Sequence, residues 1–80
     1  MRAGLDAALA AVKSGERRTD AVERAAREAM QARGVDPEYF AAVPASTLVP
    51  AARLSGDVLL AVAARVGDVR LIDNEIVHLG

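Results

Sequence analysis

The stretch Val58-Leu59-Leu60-Ala61-Val62-Ala63-Ala64-Arg65-Val66-Gly67-Asp68-Val69-Arg70-Leu71-Ile72-Asp73-Asn74-Glu75-Ile76-Val77 decides the fold. From Val58 to Val66 it is almost unbroken apolar sequence, and periodicity alone does not separate a buried strand from a buried helix. The step that follows does. Gly67-Asp68 is a two-residue hairpin turn of the kind with Gly first, and Val69 to Val77 beyond it is rich in branched residues, so the chain ends in an antiparallel hairpin. With that turn, Val66 faces Val69, Ala64 faces Leu71 and Val62 faces Asp73 on one side of the sheet. The other side sets Arg65 against Arg70, Ala63 against Ile72, Ala61 against Asn74 and Leu59 against Ile76. Both sides are therefore largely apolar, and one pair of helices can cover only one of them. A second apolar side left in water is the kind of patch that marks an interface, so the sequence predicts a neighbour for it.

Working outward, Glu38 to Val43 reads as an edge strand, bounded by Pro37 and Pro44, which suit strand margins and edges. Pro44 to Gly56 reads as an ordered connection, with Leu48 and Leu54 as its apolar anchors. Upstream, Leu5, Ala8, Leu9 and Val12 fall at helical spacing on one stripe, giving a first helix over Ala3 to Lys13 that Ser14-Gly15 stops. Thr19-Asp20 with Glu23 announces a second helix through an Asp-led relative of the capping box. Its apolar face is Val22, Ala25, Ala26, Ala29 and Met30, Gly34 supplies a left-handed cap, and Glu23 and Arg27 lie four apart on the solvated side. The expected fold class is thus α+β: two N-terminal helices packed on a three-stranded antiparallel sheet ending in a hairpin, one domain over residues 1–80. Tyr39, Leu60, Val62 and Leu71 are the expected core residues.

Composition narrows the partners. The chain has 80 residues, with ten Lys plus Arg against eleven Asp plus Glu and a net charge of −1. It lacks the basic excess with which proteins neutralise a nucleic-acid backbone or an anionic membrane, so neither is an expected partner. The absence of Cys removes disulfide scaffolds, thiolate metal sites and a cysteine nucleophile. No apolar run reaches the ~20 residues of a bilayer span, and Met1-Arg2-Ala3-Gly4-Leu5 leads into charged residues, so a cytoplasmic chain is expected. The hydrophobic share of 52% is carried largely by alanine, with Tyr39 and Phe40 the sole aromatics, so the core is small. A chain of this size gains about as much from apolar burial as it loses in conformational entropy, roughly 1.5 kcal/mol per ordered residue, and support from another domain or another copy is expected.

Leu59 to Asn74, and Arg70-Leu71-Ile72-Asp73-Asn74 above all, resembles the C-terminal signature of the pantothenate synthetase (pantoate-beta-alanine ligase) family. Glu38-Tyr39-Phe40 followed by Val43-Pro44-Ala45-Ser46-Thr47-Leu48 is similar to that family's segment in which Asp-Tyr opens a strand and a Thr-Leu pair follows. The match is specific over residues 38–77, while the helices agree by placement. Three departures stand inside it: Glu38 replaces the usual Asp, Pro44-Ala45 replaces an Asp-Pro step, and Glu75 stands where an apolar residue is expected.

The resemblance implies the C-terminal lid of an ATP-dependent ligase that joins D-pantoate to beta-alanine through an enzyme-bound pantoyl adenylate. In such an enzyme a Rossmann-like N-terminal domain holds the nucleotide with a His-x-Gly-His motif and a Lys-Met-Ser loop, and that missing domain is the implied partner. ATP and magnesium belong to the assembled ligase, and none is expected for this chain alone. His78 is the only His and Lys13 the only Lys, so those motifs cannot be assembled here and the isolated chain is expected to be inactive. A homo-oligomer is also compatible.

Arg70, Asp73, Asn74 and Arg65 are the candidate lid residues toward substrate or nucleotide. Arg65 and Arg70 are like charges set directly across the hairpin, a costly pairing unless an anion sits near them. That anion is either a phosphate or carboxylate met on closure or a surface carboxylate such as Asp68 or Asp73. Asp73 and Asn74 either touch ligand or bond nearby backbone to fix the sheet. His78 reads as solvated, Glu16-Arg17-Arg18 as a solvated turn, and Ser14, Ser46 and Ser55 lack a base for nucleophilic work. One rival reading is a free-standing self-association module, for which Glu75 and the Met1 start speak. The other is a plain helical domain in which Val58 to Val66 is a helix.

Overall fold

The computed structural model describes residues 2–79; Met1, cited above for the free-standing reading, lies outside them. Helix α1 spans Arg2–Lys13 and α2 spans Thr19–Ala32, followed by strands β1 (Pro37–Pro44), β2 (Gly56–Val66) and β3 (Val69–Leu79). The sheet is antiparallel throughout, in the order β1-β2-β3. Val58 to Val66 is therefore a strand, and the all-helical rival falls. The hairpin register agrees with the reading from the turn: Val66 pairs with Val69, Ala64 with Leu71, Ala61 with Asn74 and Leu59 with Ile76. Gly67 takes φ 61° at the first turn position, the left-handed geometry a Gly-first two-residue turn needs.

Strand alternation sorts β2 into two faces. Val58, Leu60, Val62 and Ala64 turn inward and are fully buried, beneath Leu5, Ala8 and Val12 of α1 and Val22, Ala26 and Met30 of α2. From β1, Phe40 and Ala42 join the same core. The helices meet closely at Gly4: a Cβ there would lie 2.5 Å from the sulfur of the buried Met30, whose side chain would have to shift. The end of α2 closes as a Schellman motif, with the Val35 N–H on Met30 O at 2.9 Å, the Gly34 N–H on Gln31 O at 3.0 Å, and Gly34 at φ 75°.

Four local expectations are corrected. Tyr39 is not in the core: a bulge between Pro37 and Tyr39 shifts the register, Tyr39 pairs with Ala63 on the far face at 38% exposure, and its neighbour Phe40 fills the core instead. Leu71 is likewise 38% exposed, because the hairpin runs past the helices and its turn end is uncovered. Leu48 is no anchor, being exposed with a left-handed φ of 58°, whereas Leu54 is buried. The capping box is absent. Arg18 occupies the N-cap of α2 without a side-chain bond, and Glu23 is drawn off to accept the Ala42 N–H of β1 at 3.1 Å, not paired with Arg27.

The connection between β1 and β2 is ordered, as expected. The Leu54 N–H donates to Arg17 O at 2.7 Å and the Thr19 N–H to Ala52 O at 3.0 Å, which moors it to the start of α2. Among the described residues no helix is long and apolar enough to cross a membrane.

These burial differences predict unequal mutational costs. Leu60→Ala, which opens a cavity under both helices, should cost about 2–5 kcal/mol, while Leu71→Ala at the uncovered hairpin end should cost no more than about 1 kcal/mol. Urea denaturation followed by circular dichroism measures both, and equal losses would contradict this division of the sheet.

Candidate functional site

Face parity divides the four candidate residues. Arg65, Arg70 and Asn74 lie on the open face of the sheet, whereas Asp73, paired with Val62, lies half-buried on the helix-covered face. No common site forms from all four. The Asp73 carboxylate accepts the N–H of Asn74 at 2.8 Å, so it braces its own strand, the backbone role weighed for this pair in the sequence.

Arg65 and Arg70 do come together, as directly paired residues. The anion between them is neither Asp68 nor Asp73 but Glu38. Its carboxylate lies 3.7 Å from Arg65 Nε and 3.5 Å from Arg70 Nε, all three side chains being well exposed. The bulge between Pro37 and Tyr39 is what lets Glu38 join the open face beside the next residue, Tyr39. Sequence reasoning noted Glu38 as a departure but missed its role; the signal was a carboxylate directly after an edge-strand proline. At those distances neither contact is a close hydrogen bond, so one carboxylate balances half of two guanidinium charges and leaves a net charge of +1. An anionic group approaching the hairpin end finds two exposed guanidiniums, which suit phosphate and carboxylate alike.

Between this end and the opposite one the open face is apolar. Half-buried Leu59 and Ala61 and fully buried Ala63 lie at its centre, flanked by Tyr39, Ala41 and Val43 on β1 and by Ile72 and Ile76 on β3, the last two 61% and 56% exposed. Asn74 is the polar exception, beside Ala61. At the far end His78 Nδ1 contacts the carboxylate of Asp57, so His78 is solvated yet paired.

Glu75, the charge that stands where an apolar residue is expected, has a structural role. It projects from the covered face of β3 and accepts from Arg2 of α1 at 2.7 Å, clamping helix to sheet. That contact, ahead of the one to Asp6, raises the pKa of Arg2 above its ordinary value. Elsewhere, an open cleft at the start of α2 is lined by Arg18 and Arg53 against Asp20 and Glu23. Arg18 is already paired with Asp20 at 3.2 Å, and the lining carries no charge excess. Among the described residues no cluster of three or more His, Cys, Asp or Glu is placed to hold a metal ion.

Fold and surface together define a two-layer α+β domain with a helix-covered sheet face, a bare apolar one, and a basic pair at the hairpin end. The family model described as pantoate-beta-alanine ligase matches residues 2–76, and the chain belongs to that family. It is 44% identical over 71 residues to the bifunctional pantoate ligase/cytidylate kinase of Gloeobacter violaceus, covering 88% of this chain and 14% of that protein. It is 42% identical over 76 residues to the pantothenate synthetase of Geobacillus thermodenitrificans, covering 94% of this chain and 26% of the relative. For the pantothenate synthetase of Geobacillus kaustophilus the identity is 40% over 78 residues, with 96% and 26% covered. The chain thus spans about a quarter or less of the length of these relatives.

The Glu38 bridge makes a stability prediction. Glu38→Gln leaves Arg65 and Arg70 facing each other unbalanced and should lower stability by at most about 1 kcal/mol at low salt. The loss should vanish in ~1 M salt, where charges are screened within about 3 Å. Paired urea titrations of both proteins measure it, and a salt-independent loss would mean that Glu38 acts through packing.

Proposed function

We propose that this domain is the closing lid of an ATP-dependent ligase that condenses D-pantoate with beta-alanine to pantothenate through a pantoyl adenylate. The supporting observation is the family match along 2–76 in a chain that spans only 14–26% of the relatives named above. In this reading the greater part of the enzyme, a Rossmann-like domain, holds ATP and supplies the reacting groups, and this chain alone is inactive. The basic pair fits one of the implied groups: Arg70, with Arg65 beside it, would meet the anionic phosphate edge of the nucleotide or adenylate as the lid closes. It does not fit magnesium. In this reading the ion, which takes one or two carboxylates together with substrate phosphate, falls to the larger domain.

Closure would act by exclusion. An acyl adenylate is a mixed anhydride that water destroys, so a cover that removes water protects the intermediate until beta-alanine attacks. Lowering the local dielectric also strengthens every charge contact made to the phosphate. A small rigid domain with an unspent apolar face suits that work, because its docking need not unfold anything. The reading places the working enzyme in the cytoplasm, where coenzyme A precursors are assembled.

Reconstitution tests it. The Geobacillus thermodenitrificans enzyme, cut back to the part this chain does not match, is mixed with the chain and pantothenate formation is followed. Activity should appear only when both pieces are present. Arg70→Ala should lower kcat/KM for ATP by about tenfold to a hundredfold, the worth of one charge-assisted hydrogen bond. Failure of the two pieces to bind or to make pantothenate would count against the lid.

A further inference from the structure

We infer that Asp73 and Glu75 guard the free edge of β3, keeping it from pairing with the same edge of another copy. The guard concerns the strand edge alone and stands apart from the ligase reading.

The two edges of the sheet are closed in different ways. At β1, Pro37 and Pro44 bring no N–H to the ends of the strand, and Glu23 of α2 takes the N–H of Ala42 at 3.1 Å. β3 runs from Val69 to Leu79 without Pro, Gly or a shift of register, and a long free edge of that kind is a template for another strand. Val66 and Val69 close a two-residue turn and bond to each other, so the backbone groups of Val69, Leu71, Asp73, Glu75 and Val77 are spent on β2. Arg70, Ile72, Asn74, Ile76 and His78 turn theirs outward. At the midpoint of the strand the outward N–H of Asn74 is taken by the Asp73 carboxylate at 2.8 Å.

The charges do more than this cap. Two copies pairing antiparallel about a two-fold axis bond through their outward residues. Asp73 and Glu75 then fall at the non-hydrogen-bonded positions, where Cα atoms are only ~4.5 Å apart and side chains come closest. The register centred on Asn74 uses the whole strand and sets Asp73 against Glu75 twice. Registers centred on Asp73 or Glu75 set that residue against its own copy, and a parallel pair in register does so for both. Centring on Ile72 or Ile76 avoids the clash but leaves Ile76 to Leu79, or Val69 to Ile72, unpaired. Every long overlap is thus opposed. With an apolar residue at position 75, as the family resemblance leads one to expect, the registers centred on 74 and 75 would be open, which gives that departure a purpose.

No neighbouring cation cancels the effect. On the helix side of the middle of β3 the charged groups are Arg2, Asp6, Asp73 and Glu75. Arg2 lies 3.0 Å from Asp6 and 2.7 Å from Glu75, so it offsets one of three carboxylates and leaves a net charge of −2. Lys13 stands at the other end of α1, about 16 Å along the helix from Arg2, past the ~10 Å over which charges are screened at 0.1 M salt. Arg17 lies beside it, near Val77 and Leu79. Arg70 is on the opposite face with Glu38, and Asp68 in the turn adds a further acid.

Replacements at position 73 test the guard, read by sedimentation velocity and by hydrogen exchange of the Ile72 and Ile76 amides, which edge pairing bonds and contact through the sheet face does not. In the unaltered chain both amides should exchange freely at every concentration, and Asp73→Glu should change nothing. Asp73→Asn keeps an acceptor for the Asn74 N–H but drops the charge, and should raise edge association by about tenfold. Asp73→Lys sets a cation against Glu75 of the other copy and should raise it further. Position 73 is half-buried, so urea titration with circular dichroism checks that each variant folds, and the near-isosteric Asp73→Asn decides the matter if Asp73→Lys does not. Concentration-dependent protection of Ile72 and Ile76 in the unaltered chain would overturn the guard, as would an Asp73→Asn chain that associates no more than the unaltered one.

Discussion

Strand β2 is the constraint on which the rest depends. Among the described residues it is the only strand with neighbours on both edges, and its inward residues Val58, Leu60, Val62 and Ala64 are the floor on which both helices rest. Alternation along a strand sends every second side chain the other way, so the residues that build this floor oblige Leu59, Ala61 and Ala63 to face away from the helices. The described residues supply helices for one face only. An apolar open face is thus the direct consequence of making the middle strand apolar on both sides, and it is the reason the domain reads as one part of something larger.

The other devices serve that strand. Gly4 lets α1 settle against Met30, the Schellman turn at Gly34 returns the chain into β1, and Arg2 with Glu75 ties α1 to β3. Glu23 leaves the surface of α2 to close an edge N–H of β1, which leaves that edge one donor less open to another strand. Alanines on the helices bring the layers close at the expense of buried area, so the domain holds together by fit more than by bulk.

Much of this was legible in the residues. The two-residue turn at Gly67-Asp68 dictates a register by geometry alone, and each pair that follows from it is present. Helix α1 and the left-handed cap of α2 were equally plain, since their signals are local. Departures occur where a distant partner intervenes. Tyr39 and Phe40 exchange roles because a bulge cannot be seen in a run of adjacent aromatics, and Leu71 is exposed because the helices end before the hairpin does. The capping box fails because Glu23 finds a strand amide instead. For the candidate site, the Arg65–Arg70 juxtaposition and its need for an anion were readable, whereas the identity of that anion was set by the same bulge. Asp73 and Asn74, adjacent in a recognisable signature, are parted by parity onto opposite faces.

Family membership and the bare sheet face point the same way, toward a domain whose work is done against another surface. Carbene footprinting of the dilute chain measures that surface most directly, because it labels side chains by access to solvent. The account predicts strong labelling of Ile72 and Ile76 and partial labelling of Leu59, together with protection of Leu60 and Val62. Equal protection of both sets, or equal labelling of both, would contradict it.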